Sequence, residues 1–379
     1  MNPDNPTNQS SVAKTVIWPV ILLLVVGGLI WYGSRKSEEP SVIKIGVIAS
    51  LTGTGALRGE SAQQGLTLAR EEIERSGVLK GRKIELVYED VPLTEPKKAP
   101  AALQKLATID KVAAVIGPMG STVVMSVAPL ADSVGVPLIV HTASVLKATE
   151  DNESLFRLWP TARNYVDVIA PEVTKRGYKK IAVLSATQEN TIDFLNIFRE
   201  AVPALGASIV ISEQVTADVK DFRTQLAKIK VAEPDAIFLN LFEGQIGVAA
   251  DQARKLGITT PFFTNSVMSA VELSVNPLAL EGAWFPRFSG YTDEAKQEFI
   301  SRFGKEPANP ETAAAAHDAL IALGEVIGKV GTNPEKVKRA LSEIEFTGSI
   351  GTFSFDENGE AELQVSLRTI RSGEIIDLK

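Results

Sequence analysis

The chain has 379 residues, of which 45% are hydrophobic and 22% charged, with a formal net charge of -7 and no cysteine. That length exceeds one ordinary core, so an N-terminal appendage and two lobes are expected, and the acidic balance argues against a nucleic-acid partner, which would need a basic face to neutralise phosphates. Without cysteine there is no disulfide, no thiolate nucleophile, no Cys-based zinc site and no cysteine-linked lipid.

In chain order the first feature is VIWPVILLLVVGGLIWY, an uncharged run from Val16 to Tyr32. Its length falls at the lower end of the ~17–25 residues that cross a bilayer, and Trp18, Trp31 and Tyr32 sit where amphipathic rings prefer the headgroup region. The following WYGSRKSEEP lacks the small-x-small pattern that a signal peptidase reads. Residues 16–33 are therefore expected to form an uncleaved transmembrane anchor, preceded by a tail (1–15) and followed by a polar tether (34–41). Lys14 before the run and Arg35 and Lys36 after it leave the orientation open on charge alone.

From residue 42 the chain alternates apolar, β-rich runs with amphipathic stretches, the signature of βαβ units and a mainly parallel sheet. Strands are predicted at 43–49, 83–89, 112–116 and 137–140, with helices at 60–75, 96–108 and 121–134 between them. A second series follows, with strands at 180–184, 208–214 and 236–239 and helices at 192–204, 222–230 and 245–256. Beyond Pro261 the order changes to helices at 294–303, 310–330 and 334–342, and then paired strands at 351–355 and 362–370. The two series have similar length but no residue-level repeat, so the expected fold is α/β with two lobes, each a mainly parallel sheet flanked by helices.

The stretch IKIGVIASLTGTGALRGESAQQGLTLAREEIERSGVLKGRKIELVYED resembles the first strand, loop, helix and second strand of the leucine/isoleucine/valine-binding family. The likeness continues through DKVAAVIGPMGST, VPLIVHTAS, SLFRLWPT, KKIAVLSATQEN, PDAIFLNLFEG and QARKLGI, and so runs from about Val42 to the C-terminus. Members of that family are substrate-binding proteins of ABC transporters with the type I periplasmic-binding fold, whose chain crosses between lobes three times. The resemblance places those crossings near Pro160, Pro286 and Thr347, which gives lobe 1 as 42–160 plus 287–346 and lobe 2 as 161–286 plus 347–379. It implies an extracytoplasmic protein that captures a small amino acid or organic acid, closes by hinge motion and delivers it to an ABC permease.

Ligands of open α/β sheets sit beyond the carboxyl ends of the strands, where helix N-termini aim free N–H groups outward. Gly120 and Ser121 fall at such a place, between a predicted strand and helix, and by resemblance Ser121 contacts a ligand carboxylate, with Thr142, Ala143 and Ser144 completing the site. Without the resemblance, Ser121 reads equally well as an ordinary N-cap. Asn190 replaces an aromatic contact of the family, Phe242 aligns with another aromatic, and the loop carrying Ser266 lacks the family's acidic residue that pairs with an ammonium. Glu243 is a substitute for that acid or a surface carboxylate. Arg58 aligns near a cleft aromatic and adds a planar cation able to grip a second carboxylate or an amide oxygen. A lost acid and a gained cation tilt the ligand from branched-chain amino acids toward an organic acid, acidic amino acid or amide.

Enzymatic readings lack parts. The histidines are His141 and His317, neither next to a nucleophile motif, and no phosphate loop, metal-binding cluster or cofactor signature occurs. The competing non-enzymatic reading is a membrane-anchored sensor of the same fold that reports occupancy to a partner protein.

Overall fold

The computed structural model describes residues 41–378. The anchor expected at 16–33 and nearly all of the tether lie outside that range; among the described residues no helix is long and apolar enough to cross a membrane.

Two sheets organise the molecule. The first contains β1 (Val42–Ala49), β2 (Lys83–Asp90), β3 (Ala114–Ile116), β4 (Leu138–Val140) and β5 (Leu155–Arg157), in the spatial order β2-β1-β3-β4-β5 and parallel throughout. Ile43, Ile45, Val47 and Ile48 of β1 are all buried, as expected of a central parallel strand covered on both faces. On this sheet pack α1 (Ala56–Ser76) and α9 (Pro310–Val330), which approach each other so closely that a Cβ on Gly65 would lie 2.0 Å from the Ala313 carbonyl oxygen. The run Ala313–Ala316 supplies the matching small side chains.

The second sheet has seven strands. Its parallel part is β6 (Lys180–Ala186), β7 (Ser208–Val215), β8 (Ala236–Asn240), β9 (Phe262–Thr264) and β10 (Trp284–Phe288); β13 (Val365–Arg371) and β14 (Glu374–Asp377) add an antiparallel edge. Phe238, Phe263 and Trp284 stack through its core at centroid spacings of 4.8 and 4.9 Å. The covering helices are α4 (Ala162–Lys175), α5 (Glu189–Ala201), α6 (Arg223–Val231) and α7 (Ile246–Lys255). The remaining strands β11 (Glu345–Gly348) and β12 (Gly351–Ser354) form a hairpin.

Several expectations shift. The helix predicted at 121–134 is broken into α3 (Ser121–Val127), a 3₁₀ turn at Ala128–Leu130 and a last α turn, because Pro129 offers no amide hydrogen and its ring crowds the preceding turn. Strands β5 and β10 and helix α4 were not predicted; the strands are short, and Pro171 interrupts the helical pattern of α4, which nevertheless starts on a Thr161–Asn164 capping box. The C-terminal segment also packs elsewhere than expected: Ile350, Phe353, Phe355, Ala361 and Leu363 lie in the core beneath the first sheet, not the second.

Candidate ligand-binding site

The carboxyl ends of the parallel strands in both sheets release loops toward one small cavity of about 70 Å³. From the first sheet come Arg58, Leu93, Gly120, Ser121, Thr142, Ser144 and Trp159; from the second come Asn190, Phe242, Glu243 and residues 266–269. Tyr165 of α4, Arg287 and Phe288 of β10 and Glu311 of α9 complete the enclosure.

On the first side, Gly120 has φ 82°, a left-handed conformation that glycine takes freely, and a Cβ there would meet Leu93 at 2.7 Å. The turn it makes starts α3 with Ser121 as the first helical residue, so the early amides of the helix have no intrahelical acceptor. The Ser121 hydroxyl oxygen accepts the Ser144 and Val145 amides at 3.1 and 3.2 Å, which ties two loops together and leaves the hydroxyl hydrogen to donate. Thr142 Oγ1 is buried without a partner. This loop is braced from behind by Arg157, 1% exposed, which donates to the Val145 and Leu146 carbonyls and pairs with Glu360 through Nε at 2.7 Å.

The second side is built differently. Asn240, at the end of β8, donates to Ser185 Oγ at 2.9 Å and to the Thr191 carbonyl at 2.7 Å, and its own side-chain oxygen accepts from Asn265 at 3.0 Å. Asn265 also donates to the Leu241 carbonyl and accepts the Val267 amide, so one buried amide chain sets the loops that carry Phe242 and Ser266. Glu272 clasps the same region, accepting the Gly244 and Gly247 amides at 2.5 and 2.7 Å. Burial raises its carboxyl from 4.5 to about 7, against the lowering effect of those two amides. Phe242 touches both cores.

Charges cross the cleft in pairs. Arg58 Nη2 stands 2.8 Å from Glu243 Oε2, out of line for a hydrogen bond, and both side chains are largely buried. Arg287 meets Glu311 in a bidentate pair at 2.5 and 2.7 Å; burial alone would lower the arginine's pKa, but the carboxylate beside it outweighs that and raises it. The Leu146 amide also donates to Asp193 of α5 at 2.7 Å. Tyr165, fully buried, has its phenol held un-ionised by burial.

Of the residues singled out in the sequence, Arg58, Gly120, Ser121, Thr142, Ser144, Asn190, Phe242 and Ser266 line this cavity. Ala143 does not; its methyl is buried in a separate cluster with Val124, Val140 and Leu155, because successive residues of an extended loop point to opposite sides. Arg58 is not free to grip a second carboxylate, since the cleft loops bring Glu243 to it, and Glu243 is no surface carboxylate. His141 is fully buried behind the loop, with both ring nitrogens unpartnered and its pKa pulled down to about 4 by burial. His317 sits on α9 away from the cavity, between Asp318 at 2.8 Å and Glu72 at 3.1 Å; burial works against its charge, but the two carboxylates raise its pKa to about 9. Sequence reasoning missed Trp159, Tyr165, Arg287 and Glu311; only Trp159, within the family-like SLFRLWPT beside the Pro160 crossing, and Arg287, next to the Pro286 crossing, stood near a segment it singled out. Among the described residues, no group of three or more His, Cys, Asp or Glu could hold a metal ion.

Two α/β halves whose strand-end loops face each other around a small polar cavity define a two-lobed binding module of the type I periplasmic-binding fold. The chain belongs to the periplasmic binding protein family, whose match spans residues 42–374. A leucine-, isoleucine-, valine-, threonine- and alanine-binding protein of Pseudomonas aeruginosa is 26% identical over 333 residues, covering 86% of this chain and 88% of that one. The crystal structure of a branched-chain amino acid transporter substrate-binding protein from Streptococcus pneumoniae, in complex with isoleucine, superposes with a TM-score of 0.81 at 25% identity, over 88% of this chain and 97% of the other. An ABC transporter solute-binding protein of R. palustris in complex with benzoate shares the fold, with a TM-score of 0.79 at 21% identity and 89% and 95% coverage.

Proposed function

We propose that this chain is an extracytoplasmic solute-binding protein that encloses a small carboxylate- or amide-bearing ligand between its lobes and delivers it to an ABC-type permease. The observation that carries this reading is the convergence of Ser121, Thr142 and Ser144 with the start of α3 on one side of a cavity whose other side is Phe242 and residues 266–269. Hydroxyls and helix-start amides stabilise a carboxylate, and aromatic side chains take its apolar remainder. The relatives that bind branched-chain amino acids and benzoate support the same ligand scale.

In this reading residues 16–33 tether the module to the membrane, and the lobes divide near Pro160 and Pro286. The packing of residues 350–363 favours a third crossing near Gln364 in place of Thr347. Hinge motion about these three strands opens and closes the cleft, and the closed state is selected because it alone contacts the ligand from both lobes.

Mass spectrometry of small molecules released from the purified chain names the ligand, and a thermal-shift panel of amino acids, aromatic acids, dicarboxylates and amides ranks it. A ligand at 100 times its Kd adds about 2.7 kcal/mol of stability. Small-angle scattering should then show a smaller radius of gyration at saturation; an unchanged radius refutes hinge closure.

A further inference from the structure

Four charged side chains line the cavity among the described residues, and they cancel in pairs: Arg58 with Glu243, and Arg287 with Glu311. An amino-acid ligand brings an ammonium as well as a carboxylate, and an ammonium taken out of water needs an uncommitted anion. Neither acid is uncommitted. Glu311 is gripped by two nitrogens of Arg287. Glu243 lines the cavity with Oε2 buried and without a hydrogen-bond partner, but Arg58 Nη2 stands 2.8 Å from that same oxygen, so an ammonium brought there would press on the guanidinium. Apart from Glu243 Oε2, the cavity-lining groups left without hydrogen-bond partners are suited to oxygen. Arg58 Nε can only donate, and the hydroxyls of Thr142, Tyr165 and Ser269 can donate as readily as accept.

We propose, resting on the solute-binding reading above, that the Arg58–Glu243 pair shuts the cleft to ammonium-bearing ligands and selects a carboxylic acid without an amino group, with Arg58 as the specificity-determining residue. The acid's carboxylate is received by the hydroxyls of Ser121 and Thr142, and its apolar body lies among Trp159, Phe242, Met268 and Phe288. Arg58 thereby does the reverse of what a cation in a binding cleft suggests, since it neutralises the carboxylate that an amino acid would need and leaves one donor for the acid.

Titration calorimetry on the full-length chain tests this with two matched pairs, 3-methylbutanoate against L-valine and 3-phenylpropanoate against L-phenylalanine, whose members differ only by the ammonium. The wild-type chain should bind each acid at least about tenfold tighter than its amino acid. Arg58→Ala frees Glu243 and should cut that ratio by about tenfold or more, through a gain in amino-acid affinity that a merely misfolded variant would not show. Glu243→Gln leaves Arg58 without its anion and should keep both amino acids at least about tenfold behind the acids. Wild-type chain that binds the amino acids as tightly as the acids overturns the proposal and leaves the solute-binding reading intact, as does amino-acid binding that rises in Glu243→Gln. Silence from all four compounds also overturns it, and the broader reading falls with it only if no small molecule co-purifies.

Discussion

The two sides of the cleft are made from the same parts, strand ends and helix starts, yet their loops are held in place differently. The first-sheet side keeps hydroxyls available, with Ser121 retaining a hydrogen to donate and Thr142 Oγ1 unpartnered. On the second-sheet side, Asn240, Asn265 and Glu272 use their hydrogen-bonding capacity on neighbouring loops, and Phe242 faces the cavity. A buried polar group without a partner costs free energy, so Thr142 on the first side and Tyr165 and Ser269 on the second hold capacity that a ligand can satisfy, while the amide chain gives the second side its preset loops. The loops of the second side are thus the more firmly preset, and the hydroxyls of Ser121 and Thr142, proposed to receive the carboxylate, belong to the first.

The heaviest blow to this division should come from Arg157→Met, which strips the brace behind the first side and leaves Glu360 without its cation. Urea denaturation should register a loss of about 4 kcal/mol; a loss under about 1 kcal/mol would show that the loop stands without its brace.

Acidity probes the second side next. Folding raises Glu272 from 4.5 to about 7, so the folded chain holds a proton that the unfolded chain has released, and the resulting stabilisation is complete below about pH 4.5 and gone above about pH 7. His317, raised from 6.5 to about 9, acts in the same direction over a higher window, full below about pH 6.5 and lost as pH passes 9. Below about pH 6.5 the Glu272 fall is opposed by His141, whose lowered value of about 4 makes stability rise with pH, so the net fall should lie between about pH 6.5 and 9 and reach up to about 3 kcal/mol from His317. His317→Gln should remove the fall above about pH 7 and leave only the small part between about pH 6.5 and 7 that belongs to Glu272 in the cleft.

A smaller contrast compares one substitution on each side. Asn240→Ala removes the donor to Ser185 Oγ and the Thr191 carbonyl and the acceptor of one Asn265 bond, and should cost about 2 kcal/mol of stability in urea. Ser121→Ala should cost about 1 kcal/mol of stability but weaken binding of the co-purifying ligand about tenfold, read by calorimetry. Equal affinity losses in the two variants would erase the division of labour.

Much of the fold was legible along the chain because a strand buried on both faces must be a near-continuous apolar run, as in β1 and β8, and a helix on a sheet must repeat its apolar positions, as in α9. The strand-end logic also brought Ser121, Thr142 and Ser144 to one site. The strands β5 and β10 are too short for a period to emerge, and Pro171 interrupts the helical pattern of α4. The sequence by itself determined that there would be two α/β halves, and which loops would border a cleft, since both follow from local periodicity and from where a parallel strand must end. Only the tertiary structure decided that Arg58 meets Glu243, that Arg287 meets Glu311, and that residues 350–363 return to the first core. Those pairings join residues far apart along the chain, and no local pattern encodes which charge will be neutralised by which once the halves fold against each other.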